Sequence, residues 1–386
     1  GPSFNGNKYA LDALDKGAKY AIVDEVSALH NDKIVHVNDV LKTLQDLASF
    51  HREYLGLPIV ALTGSNGKTT TKELINNILQ QRYKTIATDG NLNNHIGVPL
   101  TLLRMTFDTE IGIVEMGANH AKEIKLLCDI AKPNVGYITN FGKAHLEGFG
   151  SEQGVLLAKS ELYDYLKAIE GLIVINLDDY KQLNQVGEYS NIFSFSESKQ
   201  SSVNISLLES QPFLNVSFSD TIIKTNLVGV YNFHNIAAAL AVGVYFKLTP
   251  QQLKIGIENY VSANNRSQII KQKSNQILLD AYNANPSSMK VALENFKLIQ
   301  NSNKLAILGD MFELGDTSAK EHLLIINQAI LTKGCTFYFV GSHFFEQKTP
   351  HSTFLFFETF ELLQSHLKKT TISDTHILVK GSRGMA

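Results

Sequence analysis

Short apolar runs that alternate with helical segments constrain the fold of this chain more than any other feature. Four such runs, residues 59–62, 111–116, 135–139 and 172–175, occur in its first half. Strands that are apolar on both faces are typical of a parallel sheet covered by helices on both sides. The pattern therefore predicts an α/β fold built on a parallel, two-sided sheet.

The pattern changes on both sides of this region. Between residues 191 and 228 polar and apolar residues alternate around a turn at Ser219 and Asp220, which predicts an antiparallel extension of the sheet. Helical and strand patterns also come before residue 57, and a second α/β alternation fills the last third. A length of 386 residues allows two to three domains. We predict three, at residues 1–56, 57–263 and 264–386.

The charge balance excludes some classes of protein. Lys and Arg total 35 and Asp and Glu total 37, a net charge of −2, which does not suit a protein that coats nucleic acid.

The apolar stretches and the cysteines exclude other classes. The longest apolar stretch, residues 236–246, is too short to span a bilayer. Two cysteines, Cys128 and Cys335, cannot form a disulfide framework. We expect a cytoplasmic monomer that neither binds nucleic acid nor inserts into a membrane.

A glycine-rich segment joins the first apolar run to a helix. It consists of Thr63, Gly64, Ser65, Asn66, Gly67, Lys68, Thr69 and Thr70. The spacing is the short G-x-x-G-K-T form of a phosphate loop, in which N–H groups at the helix start bind phosphate oxygens. Lys68 can reach the β- and γ-phosphates, and the Thr69 hydroxyl can bind Mg²⁺. A capped helix after a glycine turn is the alternative, but the strand before and the helix after favour nucleotide binding.

Three charged side chains near the apolar runs are candidates for the chemistry. Glu115 lies in the second run, and a buried carboxylate needs a partner or a metal, so it is either a Mg²⁺ ligand or a hydrogen-bonded structural residue. His145 follows the third run, where open α/β sheets bind ligands, although a single histidine is as often structural. Lys159 lies in a helical pattern, and its spacing alone predicts a solvated lysine.

Polar loops also follow strands in the last third of the chain. Arg266 lies near its start, and residues 280–286 form a polar turn that begins with Asp280. This turn could bind a ribose or cap the following helix. Residues 309–315 form another polar loop after a strand. These loops suggest one binding edge that faces the phosphate loop.

Together these segments resemble the Mur ligase family over nearly the whole chain. The resemblance rests on residues 63–70, 115–119, 280–286, 309–315 and 381–385, which occur in the family's order. It implies a central P-loop ATP-binding domain, a Rossmann-like C-terminal domain and an N-terminal UDP-substrate domain that is incomplete here. The members that this chain resembles most join D-Ala-D-Ala to a UDP-N-acetylmuramoyl tripeptide. They do so through an acyl phosphate, with ATP and two Mg²⁺ ions.

The resemblance also implies catalytic roles. Lys68, His145 and Lys159 would act in catalysis. Thr69 and Glu115 would hold the Mg²⁺ between the β- and γ-phosphates, and His145 would hold a second ion. Lys159 aligns with a lysine that the family carbamylates, a modification that turns a cation into an anionic metal ligand.

Other residues would contact the nucleotide and the substrates. By resemblance, Asn235 would contact adenine, Arg266 phosphate and Asp280 the ribose. Asn93 and Asn94 would meet the UDP-muramoyl substrate, and Asn283, Asn285 and Arg383 the peptide or dipeptide end.

Two other functions stay open at this stage. One is another ligase of the same superfamily, such as a UDP-N-acetylmuramoyl dipeptide ligase or folylpolyglutamate synthase. The other is a nucleotide-binding module without ligase activity. The acceptor amine that supports phosphate release would separate the ligases, and a trapped acyl phosphate would exclude the module.

Overall fold

The described residues form three sheets, of two, nine and six strands, that follow one another in sequence. The computed structural model describes residues 4–25, 31–263, 265–300 and 303–385. Helices connect the strands of the two large sheets, which confirms the predicted α/β class. The expected boundary at Asn264 lies outside the described residues, and all the domain limits stay predictions.

The first sheet pairs two short parallel strands. The elements of this part are a 3₁₀ helix (Gly6–Tyr9), α1 (Ala10–Asp15), β1 (Ala21–Val23), β2 (Ile34–His36) and α2 (Val40–Leu55). Helix α2 begins at Asp39, whose side chain accepts a hydrogen bond from the N–H of Lys42, and ends at Gly56. Arg52 donates to the backbone carbonyls of Ala131 and Lys132, so α2 is fixed to the part of the chain that builds the second sheet.

The nine-stranded sheet contains the predicted apolar runs. Its elements are β3 (Ile59–Thr63), α3 (Lys68–Leu79), β4 (Thr85–Ala87), α4 (Gly97–Leu103), β5 (Ile111–Glu115), α5 (Glu123–Ala131), β6 (Val135–Ile138), α6 (Leu146–Phe149), α7 (Glu152–Ala168), β7 (Leu172–Asn176), α8 (Tyr180–Val186), β8 (Ile192–Ser196), β9 (Val203–Glu209), β10 (Asn215–Phe218), β11 (Thr221–Lys224), α9 (Asn232–Tyr245) and α10 (Pro250–Glu258). The strand order is β11-β10-β9-β8-β7-β6-β3-β5-β4. Strands β3, β5, β6 and β7 are buried along their whole length, as two-sided strands should be.

The antiparallel extension is shorter than the alternation predicts. Strands β8 and β9 continue the parallel part of the sheet, and only the two pairings of β10, with β9 and with β11, are antiparallel. The expectation for the segment from residue 191 is therefore wrong in its first half, because alternation fixes which face a residue takes and not the direction of the neighbouring strand. Ser219 and Asp220 do form the predicted turn, and both have positive φ, as a tight hairpin requires.

The six-stranded sheet has the order β12-β13-β17-β14-β15-β16. Its elements are β12 (Gln268–Gln272), β13 (Asn275–Leu279), α11 (Pro286–Lys297), β14 (Lys304–Gly309), a 3₁₀ helix (Gly315–Thr317), α12 (Ser318–Ile330), β15 (Cys335–Val340), α13 (Ser342–Glu346), β16 (Phe354–Phe357), α14 (Phe360–Lys369), β17 (His376–Lys380) and a 3₁₀ helix (Arg383–Met385). All neighbours are parallel except the β12–β13 hairpin. Among the described helices, none combines the length and apolarity that a bilayer span requires.

A buried histidine lies at the carboxyl end of β14. His322, from α12, is 0% exposed. Its Nε2 accepts a hydrogen bond from the N–H of Met311 at 3.0 Å, and its Nδ1 donates to the carbonyl of Ser318 at 2.8 Å. Burial lowers the pKa of His322 below its ordinary value. Protonation of Nε2 would break the bond with Met311, so the fold holds this imidazole neutral.

The stability of the chain should therefore depend on pH through His322. Since its folded-state pKa is below the ordinary value of about 6.5, the unfolded chain binds the proton first as the pH falls. The free energy of unfolding should decrease from about pH 6.5 downward and level off below the folded-state pKa. Urea unfolding between pH 7.5 and 5 measures how the free energy of unfolding changes with pH. For the His322→Gln variant this slope should be smaller than for the parent chain, by an amount that corresponds to the uptake of up to one proton.

The control for this measurement is His351→Gln, a change at an exposed histidine. This variant should follow the parent chain at every pH. Equal slopes for the parent chain and His322→Gln would show that His322 makes no contribution to the pH dependence.

Candidate active site

The glycines of the phosphate loop lie where no side chain fits. A Cβ at Gly64 would lie 2.0 Å from Oγ1 of Thr139, and a Cβ at Gly67 would lie 2.5 Å from Oδ1 of Asn235. Both glycines also have φ in the left-handed region, at 137° and 81°. The loop is therefore held tightly against the carboxyl end of β6 and the first turns of α9.

The backbone of the loop leaves the helix start available to an anion. Ser65 donates its N–H to the carbonyl of Asn140 and its hydroxyl to the carbonyl of Gly142, which fixes the first half of the loop. The first intrahelical bond of α3 runs from the N–H of Thr71 to the carbonyl of Gly67. The preceding N–H groups have no intrahelical acceptor, and Gly67 has no side chain to cap them. Such a helix start can bind phosphate oxygens.

Lys68 folds back over the loop from the first position of α3. Its Nζ donates to the carbonyl of Gly64 at 2.6 Å and to the carbonyl of Ser65 at 3.2 Å. Burial lowers the pKa of Lys68, while the Glu115 carboxylate raises it. The ammonium group thus lies at the loop, where it can neutralise a phosphate.

Glu115 ends β5, directly beside the strand that leads into the loop. It pairs in register with Leu62 of β3 and is 1% exposed. Its Oε1 accepts a hydrogen bond from Nδ2 of Asn93 at 2.8 Å, whereas its Oε2 has no partner among the residues that the structure describes. A buried carboxylate oxygen without a partner is unfavourable unless a cation binds it.

Lys159 is buried, and the expectation of a solvated helix lysine is wrong. The side chain extends inward from α7, is 1% exposed, and donates from Nζ to the carbonyl of Ala118 at 3.0 Å. Its Nζ also lies 5.1 Å from the centroid of the Phe149 ring. Burial, which is the larger effect, and the positive charge of Lys68 both hold the pKa of Lys159 well below its ordinary value. Both effects shift the Lys159 side chain toward its neutral form.

His145 connects the second and third sheets. Its backbone is left-handed, with φ 52°, and Nδ1 of its ring contacts a carboxylate oxygen of Glu313. The hydrogen bond from His145 lowers the pKa of Glu313. Lys143 strengthens the same contact between the sheets, since its Nζ lies 2.9 Å from Oε1 of Glu321.

The predicted nucleotide residues lie on both sides of this contact. Asn235 is buried on α9, where its Oδ1 accepts a bond from the Thr71 hydroxyl at 3.0 Å. The Arg266 guanidinium lies 3.6 Å from the centroid of the Tyr282 ring. Asp280 accepts a bond from Nζ of Lys380 at 2.6 Å. Asn235 thus belongs to the second sheet's side of the contact, and Arg266 and Asp280 to the third.

The predicted substrate residues fall into two groups. Two of them have local structural roles: Asn94 accepts from the N–H of Gly97 in the turn before α4, and Asn285 is the N-cap of α11, where it accepts from the N–H of Ser288. Asn285 also donates from Nδ2 to Oδ1 of Asn66 at 2.7 Å, which joins the third sheet to the phosphate loop. Asn283 is exposed to the space between the sheets.

A cleft of about 1060 Å³ brings most of the predicted residues together. Those that line it are Ser65, Asn66, Gly67, Lys68, Thr69, Thr70, Asn93, Asn94, Glu115, His145, Asn235, Arg266, Asp280 and Asn283. Those that do not line it are Thr63, Gly64, Lys159, Asn285 and Arg383. Thr63 and Gly64 lie beneath the loop, and Arg383 lines a second cavity.

The cleft also contains polar residues that the sequence analysis missed. Asp178 and Asp179 follow β7, His234 lies next to Asn235, Asn140 follows β6, and Lys380 ends β17. Four of these five lie at or just beyond the carboxyl ends of parallel strands, and His234 lies beside a predicted residue. The strand-end rule, applied to every strand, would have found Asp178, Asp179 and Lys380.

A P-loop sheet that faces a second α/β unit across this cleft is the arrangement of a Mur ligase. Family models match the chain as the Mur ligase middle domain over residues 62–243 and as the Mur ligase, glutamate ligase domain over residues 265–383. The chain belongs to the Mur ligase family.

The relatives that this chain resembles within the family include ligases of one particular name. UDP-N-acetylmuramoyl-tripeptide–D-alanyl-D-alanine ligase of Bacillus subtilis strain 168 is 32% identical over 400 residues, which cover 100% of this chain and 86% of the relative. Among solved structures, MurF from Acinetobacter baumannii has a TM-score of 0.87 at 29% identity, covering 100% of this chain and 86% of that chain. MurF ligase from Thermotoga maritima, solved in complex with ADP, has a TM-score of 0.86 at 26% identity, covering 100% and 90%. The predicted family and its fold are confirmed.

Proposed function

We propose that this protein joins D-alanyl-D-alanine to a UDP-N-acetylmuramoyl tripeptide, with ATP as the energy source, in the synthesis of peptidoglycan precursors. One observation carries the proposal. The phosphate loop, Glu115 and the polar turn that begins at Asp280 line one cleft, in a chain that matches ligases of that name over its whole length. The nucleotide and the acid can therefore meet in one place.

The chemistry has two balanced steps. First, a carboxylate oxygen of the tripeptide attacks the γ-phosphorus of ATP, ADP leaves, and an acyl phosphate forms. Then the dipeptide amine attacks the acyl carbon, phosphate leaves, and the new amide loses a proton. Phosphoryl transfer depends mainly on positioning and charge neutralisation, which Lys68 and the helix start of α3 would supply.

The residues at the loop fit Mg²⁺. Oxygen donors are the ligands this ion prefers, and Glu115 has a buried oxygen without a partner among the described residues, near the Thr69 hydroxyl at the loop. No group of three or more His, Cys, Asp or Glu side chains surrounds a possible metal in the described part of the chain. Mg²⁺ commonly uses one or two protein ligands together with nucleotide phosphates, so few donors suffice. When bound, the ion would neutralise the phosphates; His145 and a carbamylated Lys159 would hold a second one.

The other roles are those that the resemblance to the family implies, and each of these residues except Asn285 lines the cleft. Asn235 would contact adenine, Asp280 the ribose and Arg266 a phosphate. Asn93 and Asn94 would meet the muramoyl part, while Asn283 and Asn285 would meet the peptide. We also propose a cytoplasmic monomer, since both cysteines are free and a reducing compartment keeps them so. Light scattering should show one chain per particle.

The buried lysine is suited to carbamylation. A neutral Lys159 amine can attack CO₂, which forms a carbamate and releases one proton. The Lys159→Ala variant should lose about 10²-fold in kcat, because an anionic metal ligand is removed. Added acetate or formate should restore part of the activity by entering the space that the side chain leaves. Steady-state phosphate release at increasing carboxylate concentration measures both effects.

The matched control is Lys167→Ala on the same helix, where Nζ donates to the carbonyl of Gln185. It should keep its activity and show no response to carboxylates. Full activity of Lys159→Ala without any added acid would contradict the carbamate.

The proposed function is tested with a panel of acceptors. Purified chain with ATP, Mg²⁺ and the UDP-muramoyl tripeptide should release phosphate when D-Ala-D-Ala is added, and hydroxylamine should trap the acyl phosphate. Phosphate release only with a single amino acid or with a folate substrate would identify another ligase of the superfamily. Binding of ATP without any trapped hydroxamate would identify a nucleotide-binding module.

A further inference from the structure

A tyrosine hydroxyl joins the two sides of the cleft where the chain passes from the second sheet to the third. Tyr231 directly precedes α9, and its hydroxyl lies 2.6 Å from the hydroxyl of Ser267, 36 residues further along the chain. Both side chains line the cleft, as Asp280 does. The hydrogen bond between the two hydroxyls therefore ties the start of α9 to the segment that leads into the third sheet.

Ser267 has a backbone conformation that serine adopts rarely. Its φ is 51°, in the left-handed region. A residue other than glycine keeps such a conformation only where the surrounding contacts hold it. For Ser267, which is 6% exposed, one contact is the Tyr231 hydroxyl, and the other is Asp280, whose Oδ1 accepts the N–H of Ser267 at 3.2 Å. Ser267 thus connects Tyr231 to Asp280.

The Asp280 carboxylate is held at both of its oxygens. While Oδ1 accepts the N–H of Ser267, Oδ2 accepts a bond from Nζ of Lys380 at 2.6 Å. Each carboxylate oxygen has two lone pairs, so each can accept one further hydrogen bond from a ligand in the cleft. A carboxylate that is held in this way presents its remaining lone pairs in a defined direction, which suits a pair of neighbouring hydroxyl groups.

The Tyr231 ring is fixed by the turn that leads into it. Gly229 has φ 91°, and a Cβ at this position would lie 2.3 Å from Cε1 of Tyr231. The ring therefore packs on the backbone of Gly229, where no larger residue fits. Because a tyrosine side chain has few rotatable bonds, a ring packed in this way holds its hydroxyl in place at a small cost in conformational entropy.

We propose that Tyr231 is a positioning residue for nucleotide binding, which orients the Asp280 carboxylate toward the ribose hydroxyls through Ser267. The inference rests on the proposed function in one respect, the contact between Asp280 and the ribose. In this role Tyr231 acts through Ser267 and not by contact with the ribose. Loss of its hydroxyl removes a support of Ser267 and so disturbs the direction of the carboxylate, while the phosphate loop is unchanged.

The test compares the binding of ATP with that of 2′,3′-dideoxy-ATP, which lacks both ribose hydroxyls, by calorimetry in the presence of Mg²⁺. The parent chain should bind the dideoxy nucleotide about 10- to 100-fold more weakly, the effect of losing hydrogen bonds to a charged group. Tyr231→Phe, which removes only the hydroxyl, should weaken the binding of ATP about 3- to 10-fold and leave the affinity for the dideoxy nucleotide unchanged.

A second variant tests the path through Ser267. Ser267→Ala removes the other hydroxyl of the same hydrogen bond, so it should show the same selective loss for ATP. Since both changes break one contact, the double variant should lose no more affinity than either single variant. Additive losses would show that the two hydroxyls act independently and would overturn the inference.

The matched control is Tyr189→Phe, which removes a hydroxyl that donates to the carbonyl of Gly171 at 2.6 Å, outside the cleft. Its affinities for both nucleotides should equal those of the parent chain. Equal losses for ATP and the dideoxy nucleotide in Tyr231→Phe would indicate a general disturbance of the cleft and overturn the inference, as would an unchanged affinity for ATP.

Nucleotide binding separates this inference from the ligase activity. A parent chain that distinguishes the two nucleotides but releases no phosphate with D-Ala-D-Ala would overturn the proposed reaction, and a selective loss in Tyr231→Phe would still support the positioning role. A parent chain that binds both nucleotides equally would overturn the inference, because no ribose contact would then exist for Tyr231 to position.

Discussion

Replacing Lys68 by alanine is expected to reduce kcat by about 10³-fold or more. The Nζ of Lys68 lies at the phosphate loop, 2.6 Å from the carbonyl of Gly64, and in the proposed mechanism it is the cation that the loop itself would contribute to a bound triphosphate. A charge that neutralises the transferred phosphoryl group acts most strongly in the transition state, so its loss lowers the rate more than it weakens binding. Phosphate release under saturating substrates measures the loss, and ATP binding by calorimetry measures how much affinity remains.

Lys304→Ala is the matched control for this change. Lys304 also donates from Nζ to two backbone carbonyls, those of Lys297 and Ile299, but it lies on β14 away from the loop. Its kcat should be that of the parent chain. A Lys68→Ala variant that turns over at the parental rate would remove Lys68 from the proposed mechanism.

Replacing Glu115 by glutamine should have opposite effects on activity and on stability. The amide keeps the shape of the side chain and can still accept the bond from Asn93, but it loses the negative charge that would hold Mg²⁺. We expect kcat/KM to fall by about 10²-fold and the half-saturating Mg²⁺ concentration to rise. Because Oε2 is buried without a partner among the described residues, the ligand-free variant should unfold at a higher temperature than the parent chain.

The control is Glu110→Gln, at an exposed carboxylate that accepts a bond from the N–H of Lys84. It should change neither the Mg²⁺ dependence nor the activity. If Glu115→Gln kept the parental Mg²⁺ dependence, Glu115 would be a structural residue. A lower melting temperature would show that the unpartnered oxygen is already stabilised in the free protein.

Most of the architecture could be predicted because the apolar runs are clear. The buried strands β3, β5, β6 and β7 coincide with the four runs, since two-sided burial leaves a continuous apolar sequence. The direction of β8 and β9 could not be predicted in this way. β8 pairs with β9 only at Phe195 and Ser196, near its end, and such a staggered contact leaves no pattern in the sequence.

The burial of Lys159 had a signal in the sequence. Val155, Leu162, Tyr163 and Leu166 are buried on α7, and Lys159 lies on the same face at helical spacing. Burying a charged lysine within an apolar stripe is energetically unfavourable unless the lysine is neutral or has a partner. Its position therefore indicates a functional group. The residues directly beside it, Ala158 and Ser160, are buried as well, but both are small and give no signal of their own.

Contacts between the sheets could not be predicted from local patterns. Asn66 and Asn285 are 219 residues apart and meet through one hydrogen bond. Glu313 lies in a polar loop whose role the spacing does not reveal, and its contact with His145 depends on how the third sheet packs against the second. Such contacts follow from tertiary packing, which no short segment specifies.

The pairing of His145 with Glu313 has a consequence for the order of events in the cleft. A carboxylate that binds Nδ1 fixes the tautomer of the imidazole and leaves the Nε2 lone pair free for a cation. That carboxylate belongs to the opposite half of the molecule, so the contact that orients the imidazole depends on how the two halves pack. In the proposed mechanism, in which His145 holds the second ion, separation of the halves would release the ring to rotate and lower the affinity for that ion.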